Sequence, residues 1–183
     1  DEWTRRMAAA IRSADTNHLV TVGHIQWAAP IMIGQVKHYA GFNPRSNARY
    51  VDFTTIHFYP IDQPRPCDSP EGLMVNRVYL EAVLYLCSVG KPLVIGEFNW
   101  YGGNSEAHQG WKLPPKPAEH QAEWCQALLD VSRGRVCGWL NWAFADTPGS
   151  TDITRWSGVW TEDLKLKPWG KVFGQFARDT VRH

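Results

Sequence analysis

The apolar residues of this chain recur with a helical period in some segments and run continuously in others, which predicts alternating helices and strands. Residues 2–15, EWTRRMAAAIRSAD, predict an amphipathic helix. The apolar stripe of this helix consists of Trp3, Met7, Ala10, Ile11 and Ala14. The apolar run HLVTVG at 18–23 predicts a strand, and an irregular segment follows it over 24–47. VDFTTIHFYP at 51–60 is rich in β-branched and aromatic residues and predicts a second strand, which Pro60 ends.

The remainder of the chain repeats this alternation. Ser69 stands at an N-cap position with Pro70 at the first helical position, and Gly90 closes the helix that they open. The predicted elements are a helix at 70–89, a strand at 92–98, a helix at 116–134, a strand at 136–144 and a helix at 167–182. The strands are continuously apolar and alternate with helices along the chain. We therefore expect an α/β fold with a parallel sheet covered on its faces.

Composition narrows the possible functions. The 183 residues carry a net charge of +1 with both signs scattered along the chain, which argues against a nucleic-acid partner. No run of 18 apolar residues predicts a membrane span, and no glycine-rich phosphate loop follows a predicted strand. No composition break divides residues 1–183, which we expect to form a single domain. The ten Trp residues suit either a large core or stacking surfaces for sugars.

Polar and aromatic side chains follow all four predicted strands. In parallel α/β folds the carboxyl ends of the strands meet at one edge, where functional groups collect. The residues delivered there, in chain order, are Trp27, His57, Tyr59, Glu97, Trp142 and Asp146. Structural roles are the alternative: Glu97 could pair with a neighbouring base, and His57 and Tyr59 could be satisfied core residues. Their convergence favours a site, because a carboxylate is costly to bury without specific partners.

Four segments in the same order, HLVTVGHIQW, TIHFYP, LVIGEF and WAFAD, resemble strands five to eight of the (β/α)8 glycoside hydrolases of clan A, most closely family 5. In that family a His-x-Tyr ends strand six, the nucleophilic Glu ends strand seven, and a Trp ends strand eight. The resemblance covers essentially the whole chain. It implies a TIM-barrel type of fold of which this chain supplies only the C-terminal four β/α units, a half barrel preceded by one helix.

The resemblance assigns catalytic roles to three residues. Glu97 would be the nucleophile of a retaining β-glycoside hydrolase, which attacks the anomeric carbon and forms a covalent glycosyl-enzyme. Tyr59 would donate a hydrogen bond to Glu97, and His57 would line the same pocket. The acid/base would be the Glu of an Asn-Glu pair upstream of residue 1, in the N-terminal half of the same barrel.

The resemblance also implies substrate-binding residues for a β-linked carbohydrate. Trp142 would form the floor under the sugar, and Trp27 matches an aromatic residue often found after strand five. Trp100 and Tyr101 could extend this platform, with packing inside the loop as the alternative, and Asp146 is a further candidate. A Lys or Glu shortly after the strand-eight Trp holds sugar in many cellulose-cleaving members, and the segment here has no Lys. Mannan, other β-glucans and β-galactosides therefore stay open as substrates.

No metal and no organic cofactor is implied by the resemblance, and the four Cys residues lack metal-ligand spacing. Cys87 and Cys125 fall in apolar helical stretches typical of core thiols. The resemblance suggests a secreted or periplasmic location. Two other hypotheses remain: a non-catalytic half barrel that binds carbohydrate, and an unrelated α/β domain in which Glu97 is structural.

Overall fold

The computed structural model of the chain describes residues 1–26, 32–33, 36–37, 42–61, 65, 67, 69–100, 117–150 and 153–181. Its α-helices are α1 (Glu2–Ala14), α2 (Pro44–Asn47), α3 (Pro70–Cys87), α4 (Ala118–Ser132) and α5 (Pro168–Val181). Its strands are β1 (Gly23–Ile25), β2 (Met32–Ile33), β3 (Val36–Lys37), β4 (Thr54–Phe58), β5 (Leu93–Phe98) and β6 (Gly138–Asn141). Two short 3₁₀ helices span Ala48–Tyr50 and Ile153–Trp156.

Four of the strands form one parallel sheet in the order β1-β4-β5-β6. The helices α3 and α4 make the crossovers from β4 to β5 and from β5 to β6. The strands β2 and β3 pair with each other as a separate antiparallel ribbon. The predicted parallel α/β architecture is confirmed.

The first strand differs from its prediction at 18–23, because β1 begins only at Gly23. The preceding segment is attached to the rest of the fold through side chains instead of a strand ladder. The Val20 amide donates to the Asp52 carboxylate at 2.7 Å, and the Thr21 hydroxyl donates to the Phe53 carbonyl at 2.7 Å. This apolar segment therefore lies alongside the sheet without forming a strand, since its hydrogen-bond partners are Asp52 and Phe53, which precede β4.

The core lies between one face of the sheet and the three long helices α3, α4 and α5. Apolar residues of β4 and β5 face these helices, and the helices contribute aliphatic, aromatic and cysteine side chains. The fully buried members include Ile56, Phe58, Ile95, Phe98, Leu80, Leu84, Leu128, Leu129 and Trp169. Cys87 and Cys125 are buried free thiols in this core, which confirms their prediction.

The helix boundaries follow the predicted capping residues. The Ser69 hydroxyl accepts a hydrogen bond from the Gly72 amide at 2.9 Å, with Pro70 at the first position of α3. Gly90 and Gly134 adopt φ values of +77° and +72° shortly after α3 and α4, in the left-handed region that favours glycine. In the described part of the chain, no helix has both the length and the apolar character needed to cross a membrane.

The predicted helix at the start of the chain is present as α1, but its apolar stripe does not enter the core. α1 contacts the rest of the fold through the buried residues Thr4 and Ala8. Trp3, Met7 and Ile11 lie along an adjacent stripe, about 100° around the helix, and are exposed to solvent, with the Trp3 ring in edge contact with Phe42. A stripe of large apolar side chains is thus left uncovered, apart from the contact with Phe42, in the described structure.

The side chain of Asn76 binds the backbone of the segment that follows β4. Its side-chain amide lies within α3, accepts from the Ile61 amide at 2.8 Å and donates to the Ile61 carbonyl at 3.0 Å. We expect Asn76→Leu to lower the free energy of unfolding by about 1–3 kcal/mol, because both buried backbone groups lose their partner. Urea denaturation measures this change. Met74→Leu on the exposed side of the same helix is the control, and an equal loss in both variants would contradict the prediction.

Candidate active site

The strand β5 carries one residue more than its neighbour β4. Ile56 of β4 pairs with Ile95, but His57, the next residue of β4, pairs with Glu97. Gly96 is therefore the extra residue of a β-bulge. A bulge of this kind shifts the alternation of side chains by one position.

The bulge determines which face of the sheet Glu97 occupies. Ile95 and Phe98 are both fully buried in the core beneath the helices. In a regular strand Glu97 would share the face of Ile95, because side chains two residues apart point the same way. Glu97 instead lies on the opposite face, where it contacts side chains of β4 and the residue following it.

Two side chains from β4 and its end hold the two oxygens of the Glu97 carboxylate. The Tyr59 hydroxyl donates to Oε2 at 2.5 Å, and Nδ1 of His57 lies 3.3 Å from Oε1. The side chain of Glu97 is 26% exposed, so the carboxylate is open to a ligand while its orientation is fixed. Hydrogen bonds to a carboxylate are stronger than those between neutral groups. The structure thus brings together the three residues to which the family resemblance assigns catalytic roles.

Gln26, directly after β1, fixes the backbone of Tyr59. Its side-chain Oε1 accepts from the Tyr59 amide at 2.5 Å, and its Nε2 donates to the Tyr59 carbonyl at 2.8 Å. Gln26 is only 2% exposed, and both ends of its amide are used. Sequence reasoning missed this residue, although a polar amide following an apolar strand is a usable signal.

His24 in β1 is a buried structural histidine. Its Nδ1 lies 3.1 Å from the Thr55 carbonyl, and the Asn47 amide donates to its Nε2 at 3.2 Å. A carbonyl can only accept, so the proton resides on Nδ1 and the ring is neutral. The Thr4 hydroxyl extends the chain of bonds by donating to Asn47 at 3.1 Å, which connects α1 to the sheet. Burial lowers the pKa of His24, with a smaller contribution from the nearby His57.

Trp142 follows β6 at the same end of the sheet. The Trp142 amide donates to the Phe98 carbonyl at 3.2 Å, and the Trp142 carbonyl accepts from the side-chain amide of Asn99. The Trp142–Ala143 peptide is cis. The indole is 46% exposed, so a large flat ring lies open beside the strand end that carries Glu97.

The prediction that Trp100 extends a sugar platform is wrong, and the alternative of packing within the protein holds. Trp100 is 2% exposed and stacks on Trp124 of α4, with ring centroids 4.6 Å apart. Its carbonyl accepts from the side chain of Gln121 at 3.1 Å. A ring covered on this scale has no face left for a sugar, since it belongs to the core beneath the helices.

Asp146 is engaged in a buried ion pair that gives it a structural role in place of the predicted contact with substrate. Lys167 donates to both of its oxygens, at 2.9 and 3.1 Å, and to the Trp156 carbonyl at 2.7 Å. The Gly158 amide donates to Oδ1 at 2.9 Å. The side chains of Asp146 and Lys167 are 6% and 8% exposed. The carboxylate therefore connects the loop after β6 to the start of α5.

Two predicted substrate-binding residues, Trp27 and Tyr101, lie outside the described residues. Among the residues that the structure does describe, no cluster of three or more His, Cys, Asp or Glu side chains could hold a metal ion.

A parallel four-stranded sheet with crossover helices and a carboxylate at one strand end is half of a (β/α)8 barrel of the glycoside hydrolase type. The cellulase family, glycosyl hydrolase family 5, matches residues 1–147. The chain belongs to this family.

Similar proteins are glycosidases of greater length. The chain is 24% identical over 148 residues to mannan endo-1,4-beta-mannosidase A of Podospora anserina, which covers 79% of this chain and 35% of that protein. The structure of exo-beta-1,4-mannosidase Op5Man5 from Opitutaceae bacterium strain TAV5 matches with a TM-score of 0.69 at 22% identity, over 99% of this chain and 32% of that one. A β-glucuronidase from Ruminococcus gnavus matches with a TM-score of 0.66 at 21% identity, over 96% and 29%. The chain thus spans about a third of their length.

The buried histidine predicts a pH dependence of stability. The pKa of His24 is lowered in the folded state from its ordinary value of 6.5. Just below pH 6.5 the unfolded chain therefore binds a proton at His24 more readily than the folded chain does. We expect the contribution of His24 to the free energy of unfolding to be complete above pH 6.5 and to be lost as the pH falls below this value. Denaturation of the parent and of His24→Gln over this range measures the difference in slope. Leu19→Gln, at an exposed position without a titratable group, is the control and should keep the parental slope.

The buried ion pair predicts a large loss of stability when one partner is removed. We expect Lys167→Met to lower the free energy of unfolding by about 3–5 kcal/mol, because it leaves the Asp146 carboxylate buried without its cation. Urea denaturation measures the change. Lys165→Met breaks the exposed pair with Asp163, which is shorter at 2.6 Å, and should leave the unfolding midpoint unchanged. Equal effects of the two variants would count against a buried structural pair.

Proposed function

We propose that this chain carries the nucleophile half of a retaining β-glycoside hydrolase, with Glu97 as the nucleophile. The observation that carries the proposal is the pair of contacts from His57 and Tyr59 to opposite oxygens of one carboxylate. A core ion pair would not require a bulge to turn Glu97 out of the apolar face. The exposure of the carboxylate further supports a reacting group rather than a structural one.

In the proposed first step, an oxygen of Glu97 attacks the anomeric carbon and forms a covalent bond as the glycosidic bond breaks. The leaving oxygen takes a proton from the acid/base residue. Water, deprotonated by that same residue, then attacks the anomeric carbon, releases Glu97 and gives a sugar of retained configuration. Tyr59 and His57 keep the carboxylate oriented through both steps. Trp142 stacks under the sugar, where its exposed ring faces the C–H surface of a pyranose.

The acid/base residue, in this proposal, is contributed by an N-terminal half barrel that belongs to the same protein. The uncovered stripe of Trp3, Met7 and Ile11 supports it, because a face of this kind normally packs against another element. The difference in length from the relatives also supports it. The described chain alone is then expected to show little turnover.

The proposed substrate is a neutral β-mannoside. The named relatives that match by sequence are mannan endo-1,4-beta-mannosidases. The likeness to a β-glucuronidase, at 21% sequence identity, is a likeness of fold and gives no indication of substrate.

Covalent trapping of the nucleophile tests the proposed function. The full-length protein is exposed to 2,4-dinitrophenyl 2-deoxy-2-fluoro-β-D-mannoside and to the gluco and galacto analogues, whose leaving group departs without acid assistance. We expect a mass gain from the manno compound, located on the peptide that contains Glu97. Glu97→Gln should take no label, and Glu71→Gln, at an exposed position of α3, should label as the parent does.

The other hypotheses predict different results in the same experiment. A non-catalytic carbohydrate-binding protein would bind manno-oligosaccharides with equal affinity in the parent and in Glu97→Gln, and neither would be labelled. A structural Glu97 would change the unfolding midpoint on substitution without any effect on labelling or sugar binding. A label on a residue other than Glu97 would overturn the assignment of the nucleophile.

A further inference from the structure

The ring of His57 lies between glycines on its two neighbouring strands. Gly23 is on β1 and Gly96 is on β5, with β4 between them. A methyl group added at Gly23 would lie 3.1 Å from Nε2 and 3.3 Å from Cε1 of His57. One added at Gly96 would lie 3.5 Å from Cδ2 and Nε2 of the same ring. The two glycines therefore form the side walls of the space that holds this imidazole.

Backbone conformation does not account for these glycines. Neither Gly23 nor Gly96 has a φ in the left-handed region, unlike Gly90 and Gly134. Any residue could adopt their backbone conformations, and alanine loses less conformational entropy on folding than glycine does. The lack of a side chain at Gly23 is thus explained by the space that His57 occupies.

The two positions differ in how closely they confine the ring. Optimal contacts between carbon atoms lie at about 3.5–4.0 Å, so a methyl group at Gly96 would make an ordinary contact. A methyl group at Gly23 would approach the ring too closely, and the ring would have to shift by a few tenths of an ångström. Nδ1, the ring atom bonded to Cε1, lies 3.3 Å from the Glu97 oxygen. That distance is already beyond the usual range for an N–H···O hydrogen bond and leaves little tolerance for a shift.

We propose that Gly23 is a positioning residue for the nucleophile: its missing side chain lets His57 reach Glu97 from β4. Gly23 touches neither the carboxylate nor the sugar and acts only through His57. The proposal rests on the proposed function insofar as Glu97 is the nucleophile. The steric control of His57 by Gly23 can be measured without any turnover.

Gly23→Ala and Gly138→Ala in the full-length protein form a matched pair for the test, because Gly138 of β6 lies away from His57 and a methyl group added there would meet only Val94, at 3.6 Å. We expect Gly23→Ala to slow labelling of Glu97 by the 2-deoxy-2-fluoro mannoside by about 10- to 100-fold, since small misplacements of catalytic groups have effects of this size. Gly138→Ala should stay within about twofold of the parent, because its added methyl fits at van der Waals distance. Equal labelling rates in both variants would overturn the proposal.

A spectroscopic measurement reports on His57 directly. The imidazole ¹⁵N and ¹H signals of His57 show whether Nδ1 carries a hydrogen-bonded proton, and they are assigned by their loss in His57→Ala. We expect them to change in Gly23→Ala and to keep their parental positions in Gly138→Ala. Unchanged His57 signals in Gly23→Ala would overturn the steric link, whatever the labelling rates are.

A double variant separates an effect through His57 from general damage. If Gly23 acts only through the ring, Gly23→Ala should cause no further loss of labelling in a His57→Ala background. If Gly23→Ala alone fails to fold, His57→Ala should restore folding by removing the clash. A further loss in the first case, or a failure to restore folding in the second, would contradict the proposal. An unlabelled parent protein would instead overturn the proposed function, and the His57 signals would still decide the steric link.

Discussion

The orientation of Glu97 depends on the β-bulge at Gly96 in β5. Side chains of a regular strand alternate between its faces, so without the bulge Glu97 would share the face of Ile95 and its carboxylate would point into the apolar layer beneath the helices. A charge buried there without partners would oppose folding. The bulge moves the charge to the face where the Tyr59 hydroxyl donates to it and Nδ1 of His57 lies 3.3 Å away. A local irregularity of the backbone thus reconciles an apolar strand with a reactive end.

The strand β1 supports this arrangement although it contributes no group that contacts Glu97 in the described contacts. Gln26 fixes the backbone of Tyr59 through both ends of its amide, and Gly23 leaves the space that the ring of His57 fills. Tyr59 and His57 are therefore each positioned by a residue of β1 or directly after it. The site depends on three adjacent strands being in register, and not only on the residues at its surface.

Much of the architecture could be read from the sequence, because long apolar helices and continuous apolar strands are set by local patterns. The position of Glu97 at a strand end and its closeness to Tyr59 also followed from the expected parallel order. The burial of Trp100 could not be predicted, since an indole suits a core and a sugar platform equally well. The partner of Asp146 could not be predicted either, because Lys167 is 21 residues away in the chain and only folding brings the two side chains together. The bulge at Gly96 has no distinct pattern of its own, as glycine is common near strand ends.

The ion pair between Asp146 and Lys167 also joins the two ends of one chain segment. The two residues fix the ends of the segment 146–167, one beside the end of β6 and the other at the start of α5. Closing a flexible loop costs only about 0.6 kcal/mol more for each doubling of its length. Insertions at the exposed turn of residues 162–164 should therefore be tolerated without disturbing the strands, whereas Trp156 and Gly158 belong to the hydrogen-bond network of the ion pair. Evolution could lengthen this segment to reshape the rim of the barrel while the carboxylate of Glu97 stays in place.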